Sequence, residues 1–370
     1  MMELSLLNEL NAGSKDERLG ALKRAVAAAS FPPVDPRMVN NHIHTTYSFS
    51  PYSPTAAVYA ARAEGLATCG IVDHDSIGGA EEFIQAGEIV GIPTTIGIET
   101  RVSFAETPLS DRRTNNPDQI GNSYMVLHAV PHDKISTVQA YFAPLRERRN
   151  ARNRKMVARI NALYAQDGVS LDFERDVLPL SQCSNGGSVT ERHLMLALAR
   201  QLLARGKASL PEHASELDIL LAEYDLVGTL KKDCIPQVFI PATDECPSLR
   251  EIVRFANEVG GILAYAYLGD VTASVTGDKK AQKFEDDYLD ELFEVIDRAG
   301  IRAVTYMPTR NTQTQIERLR KLCEQYGMLQ ISGEDINSPR QKFTIEKMKE
   351  EQFSNLIENT WELIRHENGR

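Results

Sequence analysis

His42-Ile43-His44 stands at the end of a short run, residues 39–41, whose composition is compatible with a β-strand. Side chains alternate between the two faces of an extended segment, so His42 and His44 are expected to point the same way, one pleat apart. Two imidazoles held in this way can bind one divalent cation. A lone His-x-His is a weak signal, because histidine pairs in strands more often pack in a core or lie at the surface.

Two further apolar runs end in residues of the same kind. Residues 70–72 lead into Asp73-His74-Asp75, and residues 96–98 lead into Glu99. Three successive strands would therefore deliver metal-ligand side chains at their C-terminal ends, where β/α barrels build their active sites. A buried carboxylate such as Glu99 also needs a cation or hydrogen bonds to offset its burial. Together the three strand ends predict a metal site.

Composition sets the class of protein. The chain has 370 residues, of which 42% are hydrophobic and 25% charged, and these values are ordinary for a soluble globular enzyme. No apolar run approaches the roughly 20 residues of a membrane helix, and the first residues do not resemble a signal peptide. The five cysteines are scattered and form no Cys-x-x-Cys pair, so we expect reduced thiols and a cytoplasmic protein. A net charge of −10 disfavours broad nucleic-acid binding but leaves a local basic groove open.

Strand-like and helix-like segments alternate along most of the chain, which predicts an α/β fold with parallel pairing and right-handed crossovers. The polar stretch 104–123 follows Glu99 directly, and we expect it to hang over the site. The predicted parts are an N-terminal helical segment (1–37), a metal-dependent barrel (38–340) with a helical insertion at about 142–230, and a C-terminal helix (341–370).

Several motifs carry a resemblance to a known family. The segments that begin His42-Ile43-His44-Thr45, Asp73-His74-Asp75-Ser76 and Gly97-Ile98-Glu99 follow the first motifs of the PHP family (polymerase and histidinol phosphatase) in order and spacing. The match is to its stand-alone phosphoesterase branch and covers most of residues 38–340. Looser similarities to its later motifs lie at residues 189–193, 260–265 and 333–337. The resemblance implies a distorted seven-stranded β/α barrel, similar to a TIM barrel, with a helical insertion.

The resemblance also implies a set of metal ligands. By position these are His42, His44, Glu99 and Asp335 for one ion, with Glu99 bridging to a second, and His74 and His128 as further ligands. Phe49, Tyr265 and Asn337 stand where the family would supply other ligands, so one or two ions per chain are expected and not three. A mixed set of histidines and carboxylates favours Mn²⁺, Fe²⁺ or Zn²⁺ over Mg²⁺.

The activity implied by the resemblance is hydrolysis of a small phosphorylated substrate by a metal-activated water. Arg101, Arg192 and His193 are the candidate substrate contacts; Arg192 lies one step from Glu191, which occupies the place of the family's arginine. Two alternatives stay open. The domain could bind a metal or phospho-ligand with little or no turnover, or it could hydrolyse a non-phosphate bond, since a ligand set does not encode the leaving group.

Overall fold

Seven strands form a single sheet in which neighbours in the sequence are neighbours in space. The structure is a computed structural model that describes residues 2–271 and 282–369. The strands are β1 (Asp35–Ile43), β2 (Leu66–His74), β3 (Thr94–Ser103), β4 (Asn122–His128), β5 (Ile262–Ala266), β6 (Ala303–Tyr306) and β7 (Leu329–Ser332). The predicted seven-stranded α/β barrel is confirmed.

The direction of pairing follows from the connections. β1, β2 and β3 pair in parallel, as do β5, β6 and β7, because helices return the chain between them. β4 is antiparallel to both β3 and β5, since the polar stretch between β3 and β4 contains no helix that could carry the chain back to the start of the sheet. This reversed strand is the distortion of the barrel.

The sheet is nearly closed where its last strand approaches its first. Two backbone hydrogen bonds join the end of β1 to the segment after β7: His44 N–H donates to the Ile336 carbonyl (3.0 Å), and Ile336 N–H donates to the His42 carbonyl (3.1 Å). The two bonds flank the His-x-His motif. They therefore bring the residues just before Ile336, including Asp335, next to the two histidines.

Helices cover the outside of the sheet. They are α1 (Leu4–Asn11), α2 (Lys15–Ala28), α3 (Pro54–Ala63), α4 (Ala80–Val90), α5 (Ile135–Leu163), α6 (Glu191–Ala204), α7 (Glu216–Asp233), α8 (Ile235–Val238), α9 (Leu249–Val259), α10 (Leu289–Ala299), α11 (Gln313–Tyr326) and α12 (Ser354–Glu367). A capping box begins α2: the Ser14 hydroxyl accepts from Glu17 N–H, and Ser14 N–H donates to the Glu17 carboxylate. Every helix in the described ranges is too short or too polar to cross a lipid bilayer.

The helices α5 to α8 interrupt the barrel between β4 and β5. They run from Ile135 to Val238, a longer stretch than the 142–230 expected from the sequence. Their buried side chains form a cluster of their own, which includes Met156, Leu194 and Val227. Phe49, from the loop after β1, packs into the same cluster and so connects the insertion to the mouth of the barrel.

The N-terminal helices pack on the barrel through a buried ion pair. Arg18 of α2 donates to both carboxylate oxygens of Glu82 in α4 (2.8 and 2.6 Å), and both residues are buried. Glu82 also accepts from the Thr55 hydroxyl (2.7 Å). Around this pair, Leu10 and Leu22 are fully buried in the main hydrophobic core. The segment before β1 thus shares a core with the barrel.

Arg18→Met should cost about 3 kcal/mol or more of unfolding free energy, because it leaves the Glu82 carboxylate buried without its cation. The matched control is Lys15→Met, which removes an exposed pair between the same two helices, Lys15 to Glu81 at 3.3 Å, and should cost less than about 1 kcal/mol. Urea denaturation of both variants measures the difference. Equal costs would mean that the buried pair does not fasten α2 to the barrel.

Helix α12 closes the end of the barrel opposite the strand ends that carry the histidines. Its Leu363 packs with the small side chains Ala129, Ala264 and Ala303 in the barrel interior. Its Glu367 accepts from the Ile96 N–H at the start of β3 (2.8 Å). The other carboxylate oxygen of Glu367 lies 2.8 Å from His132 Nε2, and this hydrogen bond raises the pKa of His132 above its usual 6.5.

The His132–Glu367 pair should make stability depend on pH. Because the folded pKa of His132 is raised, its contribution is complete below the unfolded pKa of about 6.5 and is lost as pH rises through the folded value. His132→Gln should therefore lower the unfolding free energy more at pH 6 than at pH 9, as measured by urea denaturation. In a Glu367→Gln background this difference between the two pH values should vanish. A His132→Gln cost that is the same at both pH values would exclude the ion pair.

Candidate metal centre

Four of the predicted ligands meet at the C-terminal ends of the first three strands. Glu99 of β3 faces three imidazoles: its Oε2 lies 3.0 Å from His74 Nδ1 and 3.6 Å from His44 Nε2, and its Oε1 lies 3.7 Å from His42 Nε2. His74 and Glu99 are direct neighbours in the β2–β3 register. One carboxylate oxygen of Glu99 thus faces His42, and the other faces His44 and His74. A carboxylate that bridges two ions needs its oxygens to face different ligands in this way.

Asp335 completes the cluster from the other side of the barrel seam. Its Oδ1 lies 3.2 Å from His44 Nε2. Two sets of ligand atoms each fall within 4.8 Å of one another: His42, His44 and Asp335, and His44, His74 and Glu99. His44 belongs to both sets. This arrangement suits one or two cations, and the number of ions stays a prediction.

The hydrogen bonds around His44 test whether the cluster fits a metal. Asp73, fully buried, accepts from the hydroxyl of Ser48 (2.5 Å) and from the backbone N–H of Thr45 (2.7 Å). Since the Ser48 proton is given to Asp73, the Ser48 oxygen is left to accept from His44 Nδ1, 3.2 Å away. His44 Nε2 is buried, makes no hydrogen bond, and lies 3.2 Å from Asp335 Oδ1 and 3.6 Å from Glu99 Oε2. With Nδ1 donating to Ser48, Nε2 is the nitrogen left to bind a metal.

The electrostatics keep the carboxylates ionised but do not treat the imidazoles alike. Burial would lower the pKa of His44, but Asp335 and Glu99 outweigh it and hold that pKa above its usual 6.5, so a bound cation would replace a proton there. Burial alone would raise the pKa of Glu99, but His74 and His42 outweigh it and hold that pKa at about 2. The pKa of Asp335 lies well below its usual value, because His44 and His42 act against the effect of burial. Burial keeps the pKa of His74 well below 6.5. Ionised carboxylates and neutral imidazoles are the forms that bind metal ions.

His128, the sixth predicted ligand, lies close to the cluster but outside both sets. It is buried on β4 and its Nε2 has no hydrogen-bond partner. Its pKa falls to about 3, chiefly through burial and also through the nearby His42. The residue is therefore a neutral, unsatisfied imidazole in the barrel interior, and its role as a ligand stays a prediction.

The three residues that depart from the family pattern pack or form hydrogen bonds. Tyr265 is fully buried in the main core and does not line the cleft, while its neighbour Ala266 does. Asn337 lines the cleft and donates to Asp335 Oδ1 (2.6 Å), so it orients a predicted ligand. Phe49 packs edge to face against His193, with ring centroids 5.1 Å apart.

The cluster forms the floor of a cleft of about 790 Å³, counting the space open to solvent. Asn115 and Pro117, from the polar stretch between β3 and β4, line one wall. Asn115 is held there because its side-chain amide donates to the carbonyls of Tyr124 (2.8 Å) and Ala266 (2.6 Å). The stretch that the sequence placed over the site thus contributes a fixed wall.

The predicted substrate contacts occupy different positions. Arg192 lines the cleft. Arg101 lines an adjoining cavity and pairs with Glu191 (2.7 Å). His193 lines neither: its Nδ1 accepts from Thr190 N–H (3.0 Å) at the start of α6, and burial lowers its pKa to about 3. The position of His193 is that of a helix cap, and it gives no support to a substrate contact.

Two residues of the cleft carried no signal in the sequence. Lys231, near the end of α7, reaches the cleft from the insertion, more than 100 positions from the strands that carry the ligands. Tyr124 of β4 lies between the cleft and the adjoining cavity, and its ring is 5.7 Å from that of His74. Only the spatial meeting of distant segments reveals either one.

Part of the chain that carries these ligands is similar to a known protein family. Residues 40–166, which include His42, His44, His74, Glu99 and His128, match the sequence model of the PHP domain. The match covers this part of the chain and does not extend over the rest. The segments that supply Asp335 and Lys231 lie beyond the matched range, and they complete the cleft.

Proteins similar to the chain include one curated relative and two solved structures. A 5′-3′ exoribonuclease of Haemophilus influenzae is 40% identical over 63 residues, which span 17% of this chain and only 23% of that protein. A Bifidobacterium adolescentis protein, provisionally assigned as a metal-dependent phosphoesterase, superposes with a TM-score of 0.59 at 20% identity and covers 86% of this chain and 96% of its own. A Chromobacterium violaceum amidohydrolase with bound sulfate and no metal gives 0.59 at 18% identity, over 82% and 89%. At these identities the two structures show a shared fold.

His42→Ala and Asp335→Ala should each remove the tightest ion, because truncating a ligand opens the coordination sphere. The wild-type protein should retain one to two ions per chain after reconstitution and dialysis, measured by elemental analysis. His366→Ala is the control: that side chain is exposed, hydrogen-bonds the Gly260 carbonyl, and should leave metal content unchanged. Full metal content in His42→Ala would place the site elsewhere, and three tightly held ions would contradict the expected count.

Proposed function

We propose that the protein is a metal-dependent phosphoesterase acting on a small phosphorylated substrate. The observation that carries the proposal is the position of Glu99, whose two carboxylate oxygens face three imidazoles at the floor of a cleft that also contains an arginine, Arg192. The PHP domain match supports a metal-dependent hydrolase, and the phosphate ester is the finer proposal.

His42, His44, Glu99 and Asp335 would hold one ion, and His74 with Glu99 would hold a second. A bound divalent cation supplies Lewis-acid activation of a phosphoryl oxygen and of water. The ligand set contains both imidazoles and carboxylates, which favours Mn²⁺, Fe²⁺ or Zn²⁺ over Mg²⁺.

The chain's own residues bind and orient the substrate. Arg192 would neutralise charge on the phosphoryl group, as a guanidinium does in many phosphate sites. Asn337 keeps Asp335 in place through its 2.6 Å hydrogen bond. Among the described residues that line the cleft there is neither a serine nor a cysteine, so direct attack by water is favoured over a covalent enzyme intermediate.

The names of two similar proteins suggest other types of bond that this protein could hydrolyse. The Haemophilus influenzae relative is named an exoribonuclease, which favours a phosphodiester as the substrate. The Chromobacterium violaceum structure is named an amidohydrolase, and a C–N bond is therefore the alternative from a different class. Binding of a phospho-ligand with little or no turnover is the remaining alternative.

The test compares the hydrolysis of different types of bond under one set of conditions. Metal-loaded protein is assayed with an aryl phosphate monoester, an aryl phosphodiester, a short RNA and a matched aryl amide. We expect turnover of at least one phosphate ester and none of the amide, and a loss of 100-fold or more in kcat/KM in Asp335→Ala, on the order expected when a metal ligand or its support is lost. Turnover of the amide alone would replace the proposed activity, and metal binding without any turnover would leave a binding protein.

A further inference from the structure

The side of the cleft that follows β5 is held from behind by a buried acid. Ala266, Tyr267 and Leu268 line the cleft, and they are called the β5 wall below. Glu285, just before α10, is fully buried, and its Oε1 accepts from the backbone N–H groups of Leu268 (2.8 Å) and Gly269 (3.4 Å). The position of the β5 wall therefore depends on the state of Glu285.

The next residue, Asp286, holds the same segment but has a full set of partners. Its Oδ1 accepts from the Tyr267 hydroxyl (2.5 Å). Its Oδ2 accepts from the backbone N–H of Asp270 (2.9 Å) and from the side-chain amide of Gln315 (2.7 Å). Two adjacent acids thus grip the chain after β5, and only one of them has donors at both oxygens.

The second oxygen of Glu285 lacks what a buried negative charge needs. Within residues 2–271 and 282–369, Oε2 makes no hydrogen bond, and Glu285 forms no salt bridge. The hydroxyls of Tyr265 and Tyr288 are buried and unpartnered as well. Both phenols lie close enough for the charge of Glu285 to raise their pKa values in addition to the effect of burial. A proton on Oε2 would remove the charge and provide a donor for a phenol oxygen.

The surrounding charges do not compensate for an ionised Glu285. Burial raises the pKa of Glu285 to about 7, and the charge of Asp286 acts in the same direction against the backbone donors. The charged groups that face this region from the neighbouring segments are Asp270, Asp286, Arg112, Arg113, Arg310 and Arg318. Each of the four arginines contacts a group other than Glu285.

We propose that Glu285 is held as a neutral acid and acts as a pH-sensitive clamp on the β5 wall. While the proton is present, Oε1 keeps its two backbone donors and Oε2–H donates to a phenol oxygen. Once the proton passes to solvent, the buried anion is stable only if the segment opens to water, and the β5 wall loosens. This clamp goes beyond the proposed function, because it acts on the cleft whatever bond is hydrolysed there.

The first test is the pH dependence of stability in Glu285→Gln, which keeps an acceptor and a donor but cannot ionise. Because the folded pKa lies above the usual 4.5, the stabilisation is present below the unfolded pKa and is lost as pH rises through the folded value. Between pH 5 and pH 8, the unfolding equilibrium constant of the wild type should therefore rise on the order of 100-fold relative to that of Glu285→Gln. Urea denaturation measures both constants.

The matched control is Asp287→Asn. Asp287 is an exposed acid two positions along the same segment, and it pairs with Lys283 at the surface (2.6 Å). Because the Asp287 carboxylate is already in water, this variant should follow the wild type at every pH.

The second test reads the β5 wall directly by hydrogen–deuterium exchange of the peptide that contains residues 266–270. After correction for the intrinsic effect of pH on exchange, the wild type and Asp287→Asn should exchange about tenfold or more faster at pH 8.5 than at pH 6. Glu285→Gln should stay protected at both pH values. Thermal unfolding at pH 6 checks that each variant is folded.

Two results would overturn the clamp. Equal pH dependence of stability in the wild type and Glu285→Gln would mean that Glu285 does not change its protonation state in this range. Corrected exchange of the β5 wall that does not depend on pH in the wild type would mean that the wall does not respond. The second result needs no variant, so it decides the proposal even if Glu285→Gln fails to fold.

Discussion

The metal centre depends on one short pairing of backbone, between the end of β1 and Ile336. The two hydrogen bonds made there, at 3.0 and 3.1 Å, flank the His-x-His motif and close the seam of the barrel. They are the reason that Asp335 lies 3.2 Å from His44, although almost 300 residues separate them in the sequence. Without this pairing the first three strands would still present histidines and Glu99, but the cluster would lack the carboxylate that faces His44 from across the seam.

Buried arginines of the helical insertion bind the strand end that leads into the metal centre. Asp75, directly after His74, has a left-handed backbone (φ +48°), a conformation that is costly for a residue with a side chain. Arg149 holds its carboxylate at 2.6 Å, and Arg146 donates to its carbonyl at 2.8 Å. Both arginines belong to α5. The helical insertion therefore does more than cover the barrel: it stabilises the strand end that presents His74, and it brings cations to the edge of the cleft.

The order of neighbouring residues predicted those parts of the structure that depend on neighbouring residues alone. The alternation of strand-like and helix-like segments was enough to predict an α/β fold, and the number of seven strands came from the family resemblance. The common orientation of His42 and His44 could be predicted because a pleat fixes which side chains share a face. It could not decide the surroundings of Tyr265, which depend on where β5 pairs with β4; the tyrosine lies in the core, and an alanine next to it lines the cleft. Lys231 and the capping role of His193 were equally out of reach, since each is defined by partners that only the folded chain brings near.

The seam at Ile336 also constrains the order in which the chain can acquire structure. β1 lies near one end of the sequence, and its partner at the seam comes almost 300 residues later, as does Glu367, which reaches back to Ile96 over 271 positions. Contacts of such long range form slowly, because a large loop must close before they contribute. During synthesis the outer edge of β1 therefore stays unpaired until most of the polypeptide has emerged, and an open strand edge is a template for intermolecular association. We therefore expect a metal site built across the seam to be completed only late in folding.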